Sequence, residues 1–158
     1  MNEKKAELRQ HLETSRQTLL DVISKIQGDA WAKPVQDSGE RWTALQMVRH
    51  LQDAHQGLSK QLDRLREGQE TVPQDFDLDR WNARVQSKTT EMTVEEALEA
   101  LKASHERLLQ TVDSLTEEDF QKTGWQPSLK KMLPLEVLIK VIGSHEANHA
   151  KDLENALK

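Results

Sequence analysis

The run Ile142-Gly143-Ser144-His145-Glu146-Ala147-Asn148-His149-Ala150 carries two imidazoles four residues apart. On an α-helix that spacing projects both side chains from nearly the same face, so two ring nitrogens can meet one ion. The apolar residues around them, Leu135, Leu138, Ile139, Ile142, Leu153 and Leu157, recur at helical spacing and leave a gap that the histidines fill. An imidazole on a core-facing stripe has to hydrogen-bond or ligate, because a buried ring nitrogen without a partner is costly. Half of a metal site and a polar pair within the core both satisfy that demand, and a pair on an exposed flank of the helix escapes it. With six His in 158 residues, the spacing alone does not separate them.

A working metal site needs at least a third protein donor. The chain has no Cys, which removes disulfides, thiolate ligands and an internal thiol nucleophile together. Any metal is therefore held by His and carboxylates, and any thiol comes from outside. Two imidazoles upstream qualify as the third donor. His55 lies on the stripe of Val48, Leu51, Leu58 and Leu62, whereas His50 lies one strip over, among Met47, Ala54 and Gly57, where small neighbours leave room. Periodicity leaves the choice between them open.

The elements that must position these residues read as helices. Leu8, Leu12, Leu19, Val22, Ile23 and Ile26 place a first helix over roughly 3–27, stopped by Gly28. An irregular stretch with Trp31, Pro34, Ser38 and Gly39 leads to Trp42 and Thr43, and Thr43 is the expected N-cap of a second helix reaching Gly68. From Gln69 to Thr90 the pattern fades around Pro73, Phe76, Leu78 and Trp81, a connection expected to pack across the bundle end. Thr93-x-x-Glu96 forms a capping box before a third helix that ends near Leu115. A second irregular segment holds Gly124, Trp125 and Pro127, and Pro134 opens the last helix. Residues that are 35% hydrophobic and 31% charged suit amphipathic helices with wide solvated faces, and β-branched alternating runs are scarce. The expected fold is an all-α four-helix bundle with two long irregular connections, forming a single domain over 1–158.

Charge and hydropathy exclude several classes. The net charge of −5 is spread over both signs, and Lys130-Lys131 is too short a basic run for a nucleic-acid surface. Glu3, Lys4, Lys5, Glu7 and Arg9 rule out a secretory core at the start. The most apolar stretch, Met132 to Ile142, is broken by Pro134, Glu136 and Lys140, too short and too polar for a membrane span. A soluble, cytoplasmic protein is expected, with no nucleic-acid or membrane partner and with homodimer formation open.

The stretch Trp42-Thr43-Ala44-Leu45-Gln46-Met47-Val48-Arg49-His50-Leu51, followed far downstream by His145-Glu146-Ala147-Asn148-His149, resembles the DinB-like family of four-helix-bundle metalloproteins. The middle segment Asp77-Leu78-Asp79-Arg80-Trp81-Asn82 is similar to an aromatic-Asn segment of that family. Each piece is short, and the specificity comes from their combination and order over most of the chain. The resemblance implies His50, His145 and His149 as a three-His site for a divalent ion such as zinc or nickel, with open positions for water. It also implies transfer or isomerisation chemistry with a low-molecular-weight thiol as cosubstrate, or metal-dependent hydrolysis. A bundle whose metal is purely structural, or that binds a ligand or dimerises without catalysis, is the reading from another class.

The string His145-Glu146-Ala147-Asn148-His149 also spells HExxH, in which the Glu serves as general base of a zinc peptidase. That motif takes a third ligand from downstream, and the nine residues after His149 hold no His and only Asp152 and Glu154 as acids. Glu146 is turned about 100° from His145 on an ideal helix, which places it on the rim as a candidate base or as a solvated charge. His55 is expected either to orient a bound water or to be a buried core histidine. Asn82 and Trp81 are candidates for covering the pocket, with Asn82 a further residue behind the ligands, although an aromatic that anchors the connection is the favoured reading of Trp81. Asp53 and Asp152 read as surface charge, and His11 and His105, without partners in sequence, as surface residues.

Overall fold

Four long amphipathic helices carry the structure, a computed structural model that describes residues 2–35, 42–89 and 91–158. They are α1 (Asn2–Ile23), α2 (Ala44–Arg66), α4 (Val94–Ser114) and α6 (Leu135–Ala156), with the shorter α3 (Leu78–Thr89) and α5 (Glu117–Phe120) and two strands, β1 (Thr123–Gln126) and β2 (Lys131–Pro134), in the connections. α1 packs along α6 and α2 along α4, and closure comes from α2 against α6 and α1 against α4. The expected helical bundle is what the described residues form, with a short antiparallel hairpin added.

Local signals set most boundaries. Thr43 caps α2 in a full capping box: its hydroxyl accepts from Gln46 N at 3.2 Å and its own N–H donates to Gln46 Oε1 at 2.9 Å. Thr93 and Glu96 do the same for α4. α1 ends at Ile23, four residues before the expected end. There Ser24 turns its hydroxyl onto the Asp21 carbonyl, and Gly28, at φ +53°, starts a 3-10 turn over Gly28–Ala32. Ser38 and Gly39, part of the irregular stretch after it, lie outside the described residues, as does Thr90.

Both long connections are more ordered than their patterns suggest. Residues 78–89, read as part of an irregular connection, form α3, which lies along α2 rather than across the bundle end. Asp77 Oδ1 accepts from Arg80 N, Val85 and Gln86 are buried, and Gln86 Nε2 donates to the Gln46 carbonyl at 3.1 Å. With Leu78, Trp81 and Val85 as its only apolar stripe, this helix is too short for periodicity to reveal. The second connection folds into α5 and the hairpin, whose register pairs Gly124 with Leu133 and Trp125 with Met132. Gly124 sits where a Cβ would stand 2.7 Å from Thr71 Cγ2 and 2.8 Å from Leu65 Cδ1, so only glycine lets the hairpin approach the end of α2.

The apolar core is divided in two along the bundle axis. One cluster gathers Leu19, Met47, Leu51, Leu101 and Leu153, the other Leu8, Leu62, Leu108, Leu135 and Ile139. Between them in sequence on α2, α4 and α6 stand the buried polar residues His55, Ser104, His105 and Glu146. Among the described residues, no helix is long and apolar enough to cross a membrane.

Candidate metal centre

His50 on α2 and His145 and His149 on α6 converge. Nε2 of His145 lies 3.2 Å from Nε2 of His50 and 3.0 Å from Nε2 of His149. The i,i+4 spacing on α6 brings the last two rings to 4.4 Å between centroids, and the α2–α6 contact supplies the third. The Trp42 ring, just before the α2 cap, packs 4.5 Å from the His50 ring at 47° and limits its rotation. On the other ring, Nδ1–H of His149 donates to Asp152 Oδ2 at 3.2 Å, which leaves the His149 Nε2 lone pair facing the other two imidazoles.

The arrangement is compatible with a cation shared by the three rings. One ring nitrogen offers a single in-plane N–H or lone pair, so His145 Nε2 cannot hydrogen-bond to both neighbours. Two nitrogens each ~2.05 Å from one ion stand about 2.9 Å apart at a right angle and about 3.3 Å at the tetrahedral angle. The observed 3.0 and 3.2 Å fall inside that interval. Burial followed by the charges of the neighbouring imidazoles pushes the His50 pKa down to about 3, and burial and His149 push His145 down to about 4. Burial also lowers His149, opposed by the hydrogen bond from its ring to Asp152. All three rings are therefore neutral at pH 7, the form in which a ring nitrogen binds a metal. The three rings are only part-buried, so the centre keeps a side towards solvent.

Glu146 requires a correction. The sequence places it on the rim, solvated or acting as base, but it is 0% exposed. Its Oε2 accepts from His105 Nε2 at 2.8 Å and lies 2.5 Å from His55 Nε2. His105, expected on the surface, is 4% exposed, and His55 is the buried core histidine of the two alternatives weighed for it, at 0%. The stripe explains the exchange. On α6 the buried positions run Leu135, Leu138, Ile142, Glu146, Ala150 and Leu153, so Glu146 fills the gap that the sequence assigned to His145 and His149. The two histidines flank it, part-buried. The signal for His105 was present as well, since Leu101, His105, Leu108 and Val112 form one buried face of α4.

This second cluster has a different spacing. Nδ1 of His55 lies 2.5 Å from the Leu51 carbonyl and must donate to it, since a carbonyl only accepts. Nε2 of the same ring stands 2.5 Å from the Glu146 carboxylate oxygen. Contacts of 2.5 and 2.8 Å are hydrogen-bond lengths, closer than two ligands of one ion normally stand. The pKa of Glu146 is set by two opposing effects: burial pushes it up, and the bonds from His105 and His55 outweigh burial and bring it down to about 2. In His105 burial prevails over the carboxylate and lowers the pKa.

The remaining expectations sort as follows. Asp152 is the acceptor for His149 rather than plain surface charge, and Asp53 accepts from Trp81 Nε1 at 2.7 Å, tying α3 to α2. Asn82 is half-buried on α3 and, among the described residues, makes no hydrogen bond to the three imidazoles. His11 is part-buried against α6, where its ring stands beside Gly143 and its Nε2–H donates to the Lys140 carbonyl at 2.9 Å. A cleft of about 1080 Å³ lies between Leu65, the connection 68–79 and the hairpin. Fifteen residues of α2 separate His50 from Leu65, ~22 Å at helical rise, so that cleft does not serve the three imidazoles.

A family model described as the DinB superfamily matches residues 11–153. Among solved structures the chain is similar to a protein described as "YfiT from Bacillus subtilis is a probable metal-dependent hydrolase with an unusual four-helix bundle topology". The match has a TM-score of 0.77 at 22% identity and covers 99% of this chain and 87% of the other. No curated protein matches the chain.

Proposed function

The chain belongs to the DinB superfamily, and from that premise we propose that His50, His145 and His149 hold a divalent cation, zinc or nickel, in a metal-dependent enzyme acting on a small molecule. The observation that carries this reading is three neutral Nε2 donors 3.0 and 3.2 Å apart at a centre that is only part-buried. A cation with a purely structural role is normally closed in by its ligands, whereas this centre keeps a side for a substrate. Bound there, the cation supplies Lewis acidity towards a carbonyl or ester and favours the deprotonated form of water or of a thiol.

The chain's own residues do the rest. Asp152 holds the His149 tautomer, and Trp42 confines the His50 ring. Three neutral imidazoles leave the full positive charge of the cation available, as an anionic transition state requires. Hydrolysis is the leading reading, in line with the description of the Bacillus subtilis protein of the same fold. Transfer of an external low-molecular-weight thiol to an electrophile is the second; the absence of Cys from the chain agrees with it and equally with hydrolysis. Peptidase chemistry of the HExxH type fits poorly, because the carboxylate that would serve as base is fully buried between two other histidines.

Metal analysis of untagged protein tests the reading. About one zinc or nickel per chain is expected, lost in His50→Ala, His145→Ala and His149→Ala. Unchanged occupancy in the three variants refutes it. Turnover of ester or amide substrates without thiol favours hydrolysis, and turnover that needs a thiol favours transfer. A chelator-sensitive melting temperature with no turnover of either kind reassigns the centre to a structural or binding role.

A further inference from the structure

His55, His105 and Glu146 lie outside the proposed metal centre, and nothing in the proposed chemistry uses them. They come from three helices, α2, α4 and α6, and meet at one carboxylate oxygen in the stretch where the apolar core is interrupted. A buried ionisable cluster is a poor device for stability. Desolvation offsets most of its Coulombic gain, and apolar residues of similar volume often do as well or better. Its physical effect is directional. Leucine and isoleucine contacts tolerate a small slide or rotation of one helix over another, whereas a hydrogen bond is lost within a few tenths of an ångström beyond ~3.2 Å.

We propose that the His55–Glu146–His105 triad is a register lock for the three-imidazole centre. Glu146 immediately follows His145 and lies between it and His149 on α6. Holding its carboxylate within 2.5 Å of His55 and 2.8 Å of His105 therefore fixes both the height and the rotation of the turn that carries the two imidazoles. His55 stands five residues after His50 on α2 and is itself tied to the Leu51 carbonyl, so the same contact references α6 to the turn bearing the third imidazole. α4 contributes nothing to the centre directly and enters through His105. Since a metal or catalytic constellation tolerates only ~0.5 Å of misplacement, the triad members are positioning residues. The metal-affinity part of this inference rests on the function proposed above, whereas the arrangement of the rings does not.

The test replaces the triad by an apolar core, His55→Leu/His105→Leu/Glu146→Leu, beside the milder Glu146→Gln. In metal-free wild-type protein, ring-to-ring nuclear Overhauser effects among His50, His145 and His149 are expected. In the triple variant the melting temperature is expected to stay within a few degrees of wild type or to rise, while those effects disappear and the Kd for Co(II), followed by its visible spectrum, weakens at least tenfold, the scale of an outer-shell loss. Glu146→Gln, which keeps the volume, is expected to weaken Co(II) binding at least fivefold and to alter the spectrum. It decides the matter if the triple variant does not fold. Retained ring contacts with a Kd within twofold of wild type, in whichever variant folds, overturn the lock, as do absent ring contacts in wild type. If wild type binds no Co(II), the proposed function fails, and the ring contacts alone still judge the lock.

Discussion

Acidifying the metal-free protein from pH 7 to pH 5 probes the neutral state of the imidazole centre. His50 and His145 have pKa values of about 3 and about 4 in the fold, against 6.5 as the reference value. Both are depressed, so the unfolded chain takes up protons first. The stability they contribute is present above pH 6.5, falls as the pH drops below it, and stops falling once the folded rings titrate near 4 and 3. At pH 5 the unfolded rings are almost fully protonated and the folded ones almost fully neutral, which costs about 2 kcal/mol for each ring relative to pH 7, and about 4 kcal/mol together. Against a typical total of ~5–15 kcal/mol that loss is large. Urea denaturation at pH 7, 6 and 5 in the presence of a chelator measures it, and His50→Gln/His145→Gln is expected to remove most of the slope. A stability that is flat from pH 7 to pH 5 in the chelated wild type, or an equal slope in the double variant, refutes the reasoning. Glu146 acts in a separate range: with its pKa lowered to about 2, its contribution is lost only below 4.5.

Other perturbations follow from single contacts. Gly124→Ala drives a methyl to 2.7 Å from Thr71 Cγ2 and 2.8 Å from Leu65 Cδ1, both side chains buried, and is expected to cost ~1–3 kcal/mol in thermal unfolding; an unchanged melting temperature contradicts the close hairpin contact. Thr43→Ala removes the hydroxyl half of the α2 capping box and is expected to cost ~1 kcal/mol by denaturant titration; because the cap adjoins Trp42, metal affinity is expected to fall with it. Trp81→Phe removes the bond to Asp53 and is expected to speed hydrogen exchange in α3 while leaving α6 unchanged. Zinc or nickel at a hundredfold excess over Kd is expected to stabilise the protein by about 2.7 kcal/mol, and His149→Ala to abolish that response; an equal response in the variant argues for surface binding instead.

Much of the architecture was legible because it depends on local chemistry. The long apolar stripes of α1, α2, α4 and α6, the Thr43 and Thr93 caps and the Pro134 boundary mark the bundle without reference to any partner helix. α3 escaped because three apolar residues over two turns are not periodic enough to stand out, and its helix is completed by contacts with α2 that no local window contains. The hairpin escaped for a similar reason: Gly124 is needed by Thr71 and Leu65, which are distant in sequence.

The amino-acid sequence by itself determined which side chains are available, no thiol and six imidazoles, and that His145 and His149 share a helical face. It also carried the resemblance that singled out His50. What only the tertiary structure decided is the division of labour between neighbouring positions. A helical stripe is about 100° wide, and one residue step turns by the same angle. Periodicity therefore cannot tell which of His145 and Glu146 faces the core and which stands on its edge. That choice belongs to α2 and α4: His55 and His105 draw the carboxylate of Glu146 inward, and the same rotation leaves His145 and His149 on the part-buried flank opposite His50.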